Sequence, residues 1–302
     1  KKVLIKLMSS LSSDYLVYIK LLRPWQWVKN FLIIIPIVLS DSFSLEKLLY
    51  SIALFFLFSL FVSGNYILND LSDINLDKNH PEKKYRPIAS GKVSRRLGRQ
   101  ISGFLFIGSL FITSIFYEIQ IVYLFCIYLV LAIFYTKFFK FINVIDSIII
   151  SFLFLIRLSI GGIAVNVDIT IYLYIFIFFI SMFIVYLKKN SILNKQFLEN
   201  NSFHKILKKQ NDKFSFIYIL IFLGLATNLS LILWGINLTK VFSNNKLISL
   251  ITYNITFVYI TYRLIKNSTD AQLEDFVFGL VRDKVLLKLL VVILSLFIYF
   301  YF

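Results

Sequence analysis

The chain has 302 residues, 59% of them hydrophobic and 18% aromatic, with a mean hydropathy of +0.80, and this is too apolar for one soluble core, so it belongs in a bilayer. The +16 net charge does not indicate a nucleic-acid partner, because the cations are spread along the chain between apolar runs. The single cysteine, Cys126, excludes a disulfide framework or a cysteine metal site and reads as a packing residue within an apolar run.

Residues 1–23 mix Lys1, Lys2 and Lys6 with Val3, Leu4, Ile5, Leu7 and Leu11, lack a small-residue cleavage site, and predict an interfacial helix. Arg23-Pro24-Trp25-Gln26-Trp27-Val28-Lys29-Asn30 then opens a short apolar run, 28–40, that contains Pro36. Trp25 and Trp27 suit an aromatic belt at the membrane interface, and Lys29 and Asn30 are candidates to touch a polar substrate. Longer apolar runs follow at 45–68, 100–117, 119–136, 147–165, 169–187, 214–236, 247–262 and 285–302. Together they predict an all-α integral membrane protein of about nine transmembrane helices in a single domain, 1–302. Apart from Lys47, Lys240, Lys246 and Arg157, every Lys and Arg lies in the N-terminal segment or on alternate connections, counting Lys29 and Lys288 at the starts of the runs that follow them. That asymmetry predicts a cytoplasmic N-terminus, an extracytoplasmic C-terminus and charged motifs that share the cytoplasmic side.

Four segments carry the unusual polarity. The segment at Lys29 and Asn30 is the first. The second is Asn69-Asp70-Leu71-Ser72-Asp73-Ile74-Asn75-Leu76-Asp77, in which Asp70, Asp73 and Asp77 follow by three and four residues and, on a helix, share one face. Such a face repels itself unless a cation sits on it, and Mg²⁺ binds a few carboxylates while keeping positions for water or substrate phosphate. Pro81 stops the helix, and the turn that follows folds Lys83, Lys84 and Arg86 back over the acids, so metal and cations together suggest a diphosphate clamp. His80 reads as a hydrogen-bonded turn residue. The third segment runs from Tyr135 through Lys140 and Asp146 to Arg157 and Gly161-Gly162. An arginine inside a membrane span is costly and faces a polar cavity with a partner, a lipid phosphate or a carboxylate from another helix, whereas the glycines suit close helix packing. The fourth runs from Asp270 to Lys284 and includes Glu274, Asp275, Arg282 and Asp283.

At these residues the chain resembles the UbiA-type intramembrane prenyltransferase superfamily, whose first aspartate motif the Asn69 to Asp77 pattern matches. Within it, several pieces are similar to the decaprenyl-phosphate phosphoribosyltransferases: Arg23-Pro24, Gln26 to Asn30, Asn69-Asp70, Asp73, Asp77, His80-Pro81, Lys83 and Arg86-Pro87-Ile88-Ala89. Tyr135, Lys140, Leu155-Ile156-Arg157, Gly161-Gly162, Glu274-Asp275 and Arg282-Asp283 extend the resemblance to residue 283. It implies nine helices around a central cavity open to the cytoplasm and sideways to lipid. It also implies Mg²⁺-dependent transfer of a 5-phosphoribosyl group from phosphoribosyl diphosphate to a polyprenyl phosphate, for cell-envelope glycan precursors, in the bacterial inner membrane. On this reading Asp70, Asp73 and Asp77 hold Mg²⁺, and Asp73, Asp77 and Lys83 are the catalytic group. Asn69, Lys83 and Arg86 meet the donor; Lys140 and Arg157 meet the lipid phosphate. Lys29, Asn30, Tyr135, Asp146, Arg282 and Asp283 complete the substrate-binding set.

One departure from the wider superfamily is informative. Aromatic-acceptor prenyltransferases carry a second paired aspartate motif after the sixth helix, where residues 188–213 offer only Glu199 and Asp212 among many lysines. Prenyl transfer from a polyprenyl diphosphate to an aromatic or small acceptor is therefore the second reading. A non-catalytic lipid-binding protein or transporter is the third, and a metal-diphosphate cluster facing a basic turn argues against it.

Overall fold

The computed structural model describes residues 13–80, 82–139, 144–199, 203–238, 244–270, 273, 279 and 282–301, and among them every regular element is helical. The α-helices are α1 (Ser13–Leu22), α2 (Ile35–Val38), α3 (Leu45–Ser72), α4 (Ile74–Lys78), α5 (Arg95–Phe116), α6 (Ile119–Phe134), α7 (Ile145–Val165), α8 (Ile171–Glu199), α9 (Phe203–Leu238), α10 (Asn244–Thr269) and α11 (Lys284–Tyr301). Each long apolar run of the sequence coincides with one long helix. Among the described residues, six stretches are long and apolar enough to cross a membrane: Leu45–Ser72, Arg95–Phe116, Ile119–Phe139, Ile145–Val165, Ile171–Asn194 and Phe216–Asn237.

Local chemistry sets several boundaries. Ser44 and Ser94 cap α3 and α5, their hydroxyls accepting from the backbone N–H of Lys47 and Leu97, both at 3.2 Å. The expectation for 28–40 needs correction: these residues form no single α-helix. A 3-10 helix, Pro24–Ile33, starts after Arg23, which has left-handed backbone angles (φ 54°, ψ 56°), and the four-residue α2 takes Pro36 into its first turn. Proline has no N–H to continue an α-helical ladder from within the run, so the segment breaks there. Residues 1–12 of the predicted interfacial helix lie outside the described residues. Its remainder, α1, exposes Tyr15, Tyr18 and Lys20 and buries Leu21.

The chain forms two compact units, residues 1–142 with 156–169, and residues 143–155 with 170–302, so α7 contributes to both. In the first unit α3 is the central helix, packed against α5, α6, α1 and the 3-10 segment. Its core is aromatic: Phe58 and Phe61 meet the Phe125 ring, each with centroids 4.9 Å apart. A second apolar cluster of Leu21, Ile67, Ile74, Ile88 and Val93 ties α1, the end of α3 and the turn after α4 together. Outward, α5 presents Phe104, Ile107, Phe111 and Ile115 at spacings of three and four, a lipid-facing stripe. Cys126 also faces outward from α6 rather than packing inside, because the inward positions there belong to Ile121, Phe125 and Tyr128. In the second unit α8, α9, α10 and α11 surround Phe183, Tyr186, Leu187, Leu220, Leu223, Leu264 and Leu286.

Gly161 has a specific steric role. A Cβ there would lie 2.2 Å from the carbonyl oxygen of Ile33, so only glycine lets α7 touch the backbone of the 3-10 segment. Gly161→Ala should therefore lower the thermal unfolding temperature in detergent, the overpacking costing about 1–3 kcal/mol. Gly103→Ala, with no atom within 4 Å of its added methyl, should leave it unchanged. Fluorescence-detected size exclusion after heating measures both.

Candidate active site

The acidic motif and the basic turn meet at the inner end of α3. The α3 helix ends at Ser72, Asp73 caps it with φ −92° and ψ 7°, and α4 then carries Asp77. The motif is thus two helices joined at Asp73, not one continuous face. Asp70 and Asp77 are each 2% exposed, while Asp73 is half-buried. The turn brings Arg86 back as predicted: its Nη1 donates to Asp70 Oδ1 at 3.1 Å and to Asp77 Oδ2 at 2.6 Å. Pro87, Ile88 and Ala89 anchor that turn by burial, and His80 Nδ1 accepts from the N–H groups of Glu82 and Lys83 at 3.2 and 3.3 Å, a turn-forming role. Pro81 lies outside the described residues.

Arg23 is a member that sequence reasoning left out of the site. Its left-handed backbone turns the guanidinium onto Asp70 Oδ1, with which it forms an ion pair, and over the Tyr66 ring, 5.6 Å from the centroid. The signal was the Arg23-Pro24 pair, a lone cation directly before a helix-starting proline. Breaking such a buried pair leaves a charge uncompensated, at about 3–5 kcal/mol. Asn69 is oriented by Thr136, whose hydroxyl donates to its Oδ1 at 2.9 Å. Lys83 is exposed on the short turn Lys83–Tyr85.

A second cluster surrounds Arg157, which is 3% exposed. Its Nε donates to Asn30 Oδ1 and its Nη2 to the Tyr128 hydroxyl, both at 2.8 Å, and its Cζ stands 4.9 Å from the Tyr128 ring centroid. Asn30 in turn donates from Nδ2 to Ser59 Oγ at 2.9 Å. Tyr128 is unsignalled by the sequence, one more aromatic residue in an apolar run.

The remaining described candidates have settings of their own. Lys29 is exposed and Tyr135 half-buried at the start of a π-helical turn, Tyr135–Phe139. Asp146, in the second unit, is buried and accepts from Lys189 Nζ at 2.5 Å and from Ser147 Oγ at 2.9 Å. Asp283 caps α11: it accepts from Arg263 Nε and Nη2 at 2.6 and 2.9 Å, from Asn267 at 2.8 Å, and from the N–H groups of Val285 and Leu286. Arg282 beside it is exposed. Lys140, Glu274 and Asp275 lie outside the described residues.

The sequence matches the UbiA prenyltransferase family over residues 31–282. The chain belongs to the UbiA prenyltransferase family. Curated relatives of this family member include the decaprenyl-phosphate phosphoribosyltransferase of Mycolicibacterium smegmatis, 30% identical over 57% of the chain and 55% of the relative. The enzyme of the same name from Corynebacterium glutamicum is 28% identical over 74% of the chain and 68% of the relative. The match thus spans little more than half the length of the first. Among solved structures, a digeranylgeranylglyceryl phosphate synthase superposes with a TM-score of 0.62 over 95% of the chain and 98% of its own, at 20% identity. A UbiA homolog from Archaeoglobus fulgidus bound to DMAPP and Mg²⁺ superposes with a TM-score of 0.59 over 84% of the chain and 98% of its own, at 15% identity. The fold is therefore that of UbiA proteins.

Among the described residues no three Asp, Glu, His or Cys side chains converge as a ready ligand set. Arg86 explains this at the acidic motif, since it bridges Asp70 and Asp77. Asp70 nevertheless keeps its Oδ2 buried with no hydrogen-bond partner, a costly state for a carboxylate oxygen. A hard cation that takes one or two carboxylates and leaves its other positions to water and phosphate fits this donor set.

The Asp283 carboxyl is held well below the usual carboxylate range, chiefly by its hydrogen bonds from Arg263 and further by Asn267 and two backbone N–H groups. Because the folded value is depressed, its contribution to stability is complete above the ordinary carboxylate pKa of about 3.9 and fades as pH falls below it. Asp283→Asn should thus lower the unfolding temperature at pH 7, with the gap to the wild type narrowing below about pH 4. Melting curves across that range check it.

Proposed function

We propose that this UbiA family member transfers a 5-phosphoribosyl group from phosphoribosyl diphosphate to a polyprenyl phosphate and releases diphosphate. The observation that carries the reading is the cluster of Arg23, Asp70, Arg86 and Asp77, with its unpartnered Asp70 oxygen. It stands in a chain whose relatives are named decaprenyl-phosphate phosphoribosyltransferases. In the reaction a lipid phosphate oxygen bonds to the anomeric carbon as the bond from that carbon to the diphosphate oxygen breaks, and the diphosphate leaves with the electron pair. The acceptor is already an anion, so no strong general base is needed. The demands on the protein are to bind two anions, to align them and to accept charge on the leaving group.

Asp70, Asp73 and Asp77 would hold Mg²⁺, with Asn69 set by Thr136. Bound there, Mg²⁺ supplies charge neutralisation for the diphosphate. Arg86 has a side chain 28% exposed, so it can turn a donor edge to the diphosphate or the sugar 5-phosphate while remaining at the carboxylates. Lys83, on the same turn, would hold a further oxygen of the donor. Arg157, with its planar guanidinium, and Lys140 would meet the lipid phosphate, and Lys29 and Tyr135 would complete the substrate-binding set.

Prenyl transfer is the second reading, favoured by the fold shared with the DMAPP-bound archaeal homolog. The lysine-rich stretch 188–213, with only Glu199 and Asp212, argues against it.

Nine membrane crossings follow if the segment Pro24–Val38 crosses along with the eight long helices. A 3-10 helix rises about 2.0 Å per residue and an α-helix 1.5 Å, so it reaches roughly 26 Å, close to a hydrocarbon core of about 30 Å. With the cation asymmetry this puts the N-terminus in the cytoplasm and Phe302 outside.

Purified protein given labelled phosphoribosyl diphosphate, Mg²⁺ and polyprenyl phosphate should place label in the organic phase. Chelator should abolish this and Mg²⁺ restore it; Asp73→Asn should reduce turnover at least a hundredfold in folded protein. Transfer undiminished in chelator, or label incorporated only from a prenyl diphosphate, overturns the reading. A reporter after Phe302 should be extracytoplasmic and one near Asn200 cytoplasmic; finding both in the cytoplasm overturns the nine-crossing topology.

A further inference from the structure

The start of α5 breaks a rule that helices otherwise keep. A helix favours acids at its N-terminal end and disfavours cations, yet Arg95 and Arg96 open this one directly after the Ser94 cap, with no acid in the first turn, and Arg99 follows one turn on. Lys92 precedes them, and all four cations are exposed. Among the described residues none of the four is in an ion pair, and Arg99 Nε donates to the Arg95 carbonyl oxygen at 3.4 Å. The cost of placing these charges together is therefore not met by a carboxylate among those residues.

The helix geometry gives the cations a common side. At about 100° per residue, Arg95, Arg99, Gly103 and Arg96 fall within an arc of about 100°. The other side of α5 is the docked one: Gly98 faces Ile88 and Leu71, and the Ser102 hydroxyl donates to the Gly64 carbonyl at 2.9 Å. The contact with Leu71, next to Asp70, also puts the start of α5 on the side of the acidic motif. One turn beyond Arg99 comes Gly103, where an added Cβ would meet no atom within 4 Å. Beyond it the exposed stripe of Phe104, Ile107 and Phe111 begins. Along the helix the surface thus passes from a charged foot, through a gap without a side chain, to an apolar strip. A phospholipid has the same order: phosphate, glycerol, acyl chains.

We propose that this face of α5 binds one anionic phospholipid, from the leaflet on the side of the acidic motif, with its phosphate on Arg95, Arg96, Arg99 and Lys92. Charge complementarity selects the occupant. An anionic headgroup brings the charge that the four cations lack, whereas a zwitterionic one sets its own ammonium against them. Guanidinium groups hold phosphate oxygens in pairs. A soluble phosphate would meet the cations alone, leaving the gap and the apolar strip unused.

Native mass spectrometry of the purified protein in detergent, titrated with phosphatidylglycerol and with phosphatidylcholine of the same acyl chains, measures the first bound lipid. Phosphatidylglycerol should bind at least about tenfold tighter. Arg95→Gln, Arg96→Gln and Arg99→Gln should each weaken it about fivefold, the worth of one charge at a membrane surface, and the triple variant should bind both lipids equally. Gly103→Leu fills the gap with every charge in place. It should weaken phosphatidylglycerol about tenfold while leaving the unfolding temperature in lipid-free detergent equal to or above wild type. Equal binding of both lipids by the wild type, a preference that survives in the triple variant, or undiminished binding in Gly103→Leu overturns the proposal. Displacement by inorganic phosphate alone would make the patch a soluble-anion site, and displacement by far lower concentrations of polyprenyl phosphate an acceptor site; either result also overturns it. Only lipid binding is measured, so the result is independent of whether the protein transfers a phosphoribosyl group.

Discussion

The buried carboxylate of Asp70 is the constraint around which the first unit is organised. A carboxylate taken out of water at the end of a membrane helix must be met by charge or the helix does not stay there. Two guanidinium groups meet it from opposite directions in the sequence. Arg23 comes from the segment before α3 and needs a left-handed backbone to arrive; Arg86 comes from the turn after α4 and reaches Asp77 as well. Because each arginine is anchored by an apolar neighbour, Leu21 for one and Ile88 for the other, the ion pairs and the apolar cluster hold each other in place.

The same arrangement leaves capacity for a ligand. Both arginines use Asp70 Oδ1, and Oδ2 is left buried without a hydrogen bond. A structure serving stability alone would satisfy that oxygen, since an unmet buried acceptor costs about 1–3 kcal/mol. The cluster is thus compensated enough to fold, and the proposed function gives the remaining oxygen to a cation and the phosphates it carries. In the interior of the unit, Arg157 is held in position by Asn30 and Tyr128.

The 3-10 segment gives these two clusters a common scaffold. It is short and polar on one side, and it is pressed against α7 closely enough that Gly161 admits no side chain. An α-helix in its place would offset Trp27, Asn30 and Ile33 by about 60° at each step, whereas 3-10 winding puts residues three apart above one another. That eclipsed register lets Trp27 and Asn30 meet Ser63 and Ser59, a turn apart on α3.

Hydropathy and charge in the sequence determine that the protein is an all-helical membrane protein, where its long helices lie and which residues hold its polar chemistry, because twenty-residue apolar runs have no other stable form in lipid. The motif from Asn69 to Asp77 and the return of Arg86 are readable for the same reason: an acidic helix end needs cations and a proline forces the turn. Tertiary structure alone decides the break at Asp73 and the replacement of a helix at 28–40 by a 3-10 segment. It also decides the partnership of Arg23 with Asp70, and the hold of Asn30 and Tyr128 on Arg157, 127 and 29 residues away in the chain. Periodicity reports the face a residue occupies within its own helix, whereas these contacts depend on which helices become neighbours and how closely a glycine such as Gly161 lets them approach. Asp283 shows the converse. The family resemblance implied a substrate role for it, and its bonds to Arg263, Asn267 and the first turn of α11 give it a helix-capping role that the sequence did not signal.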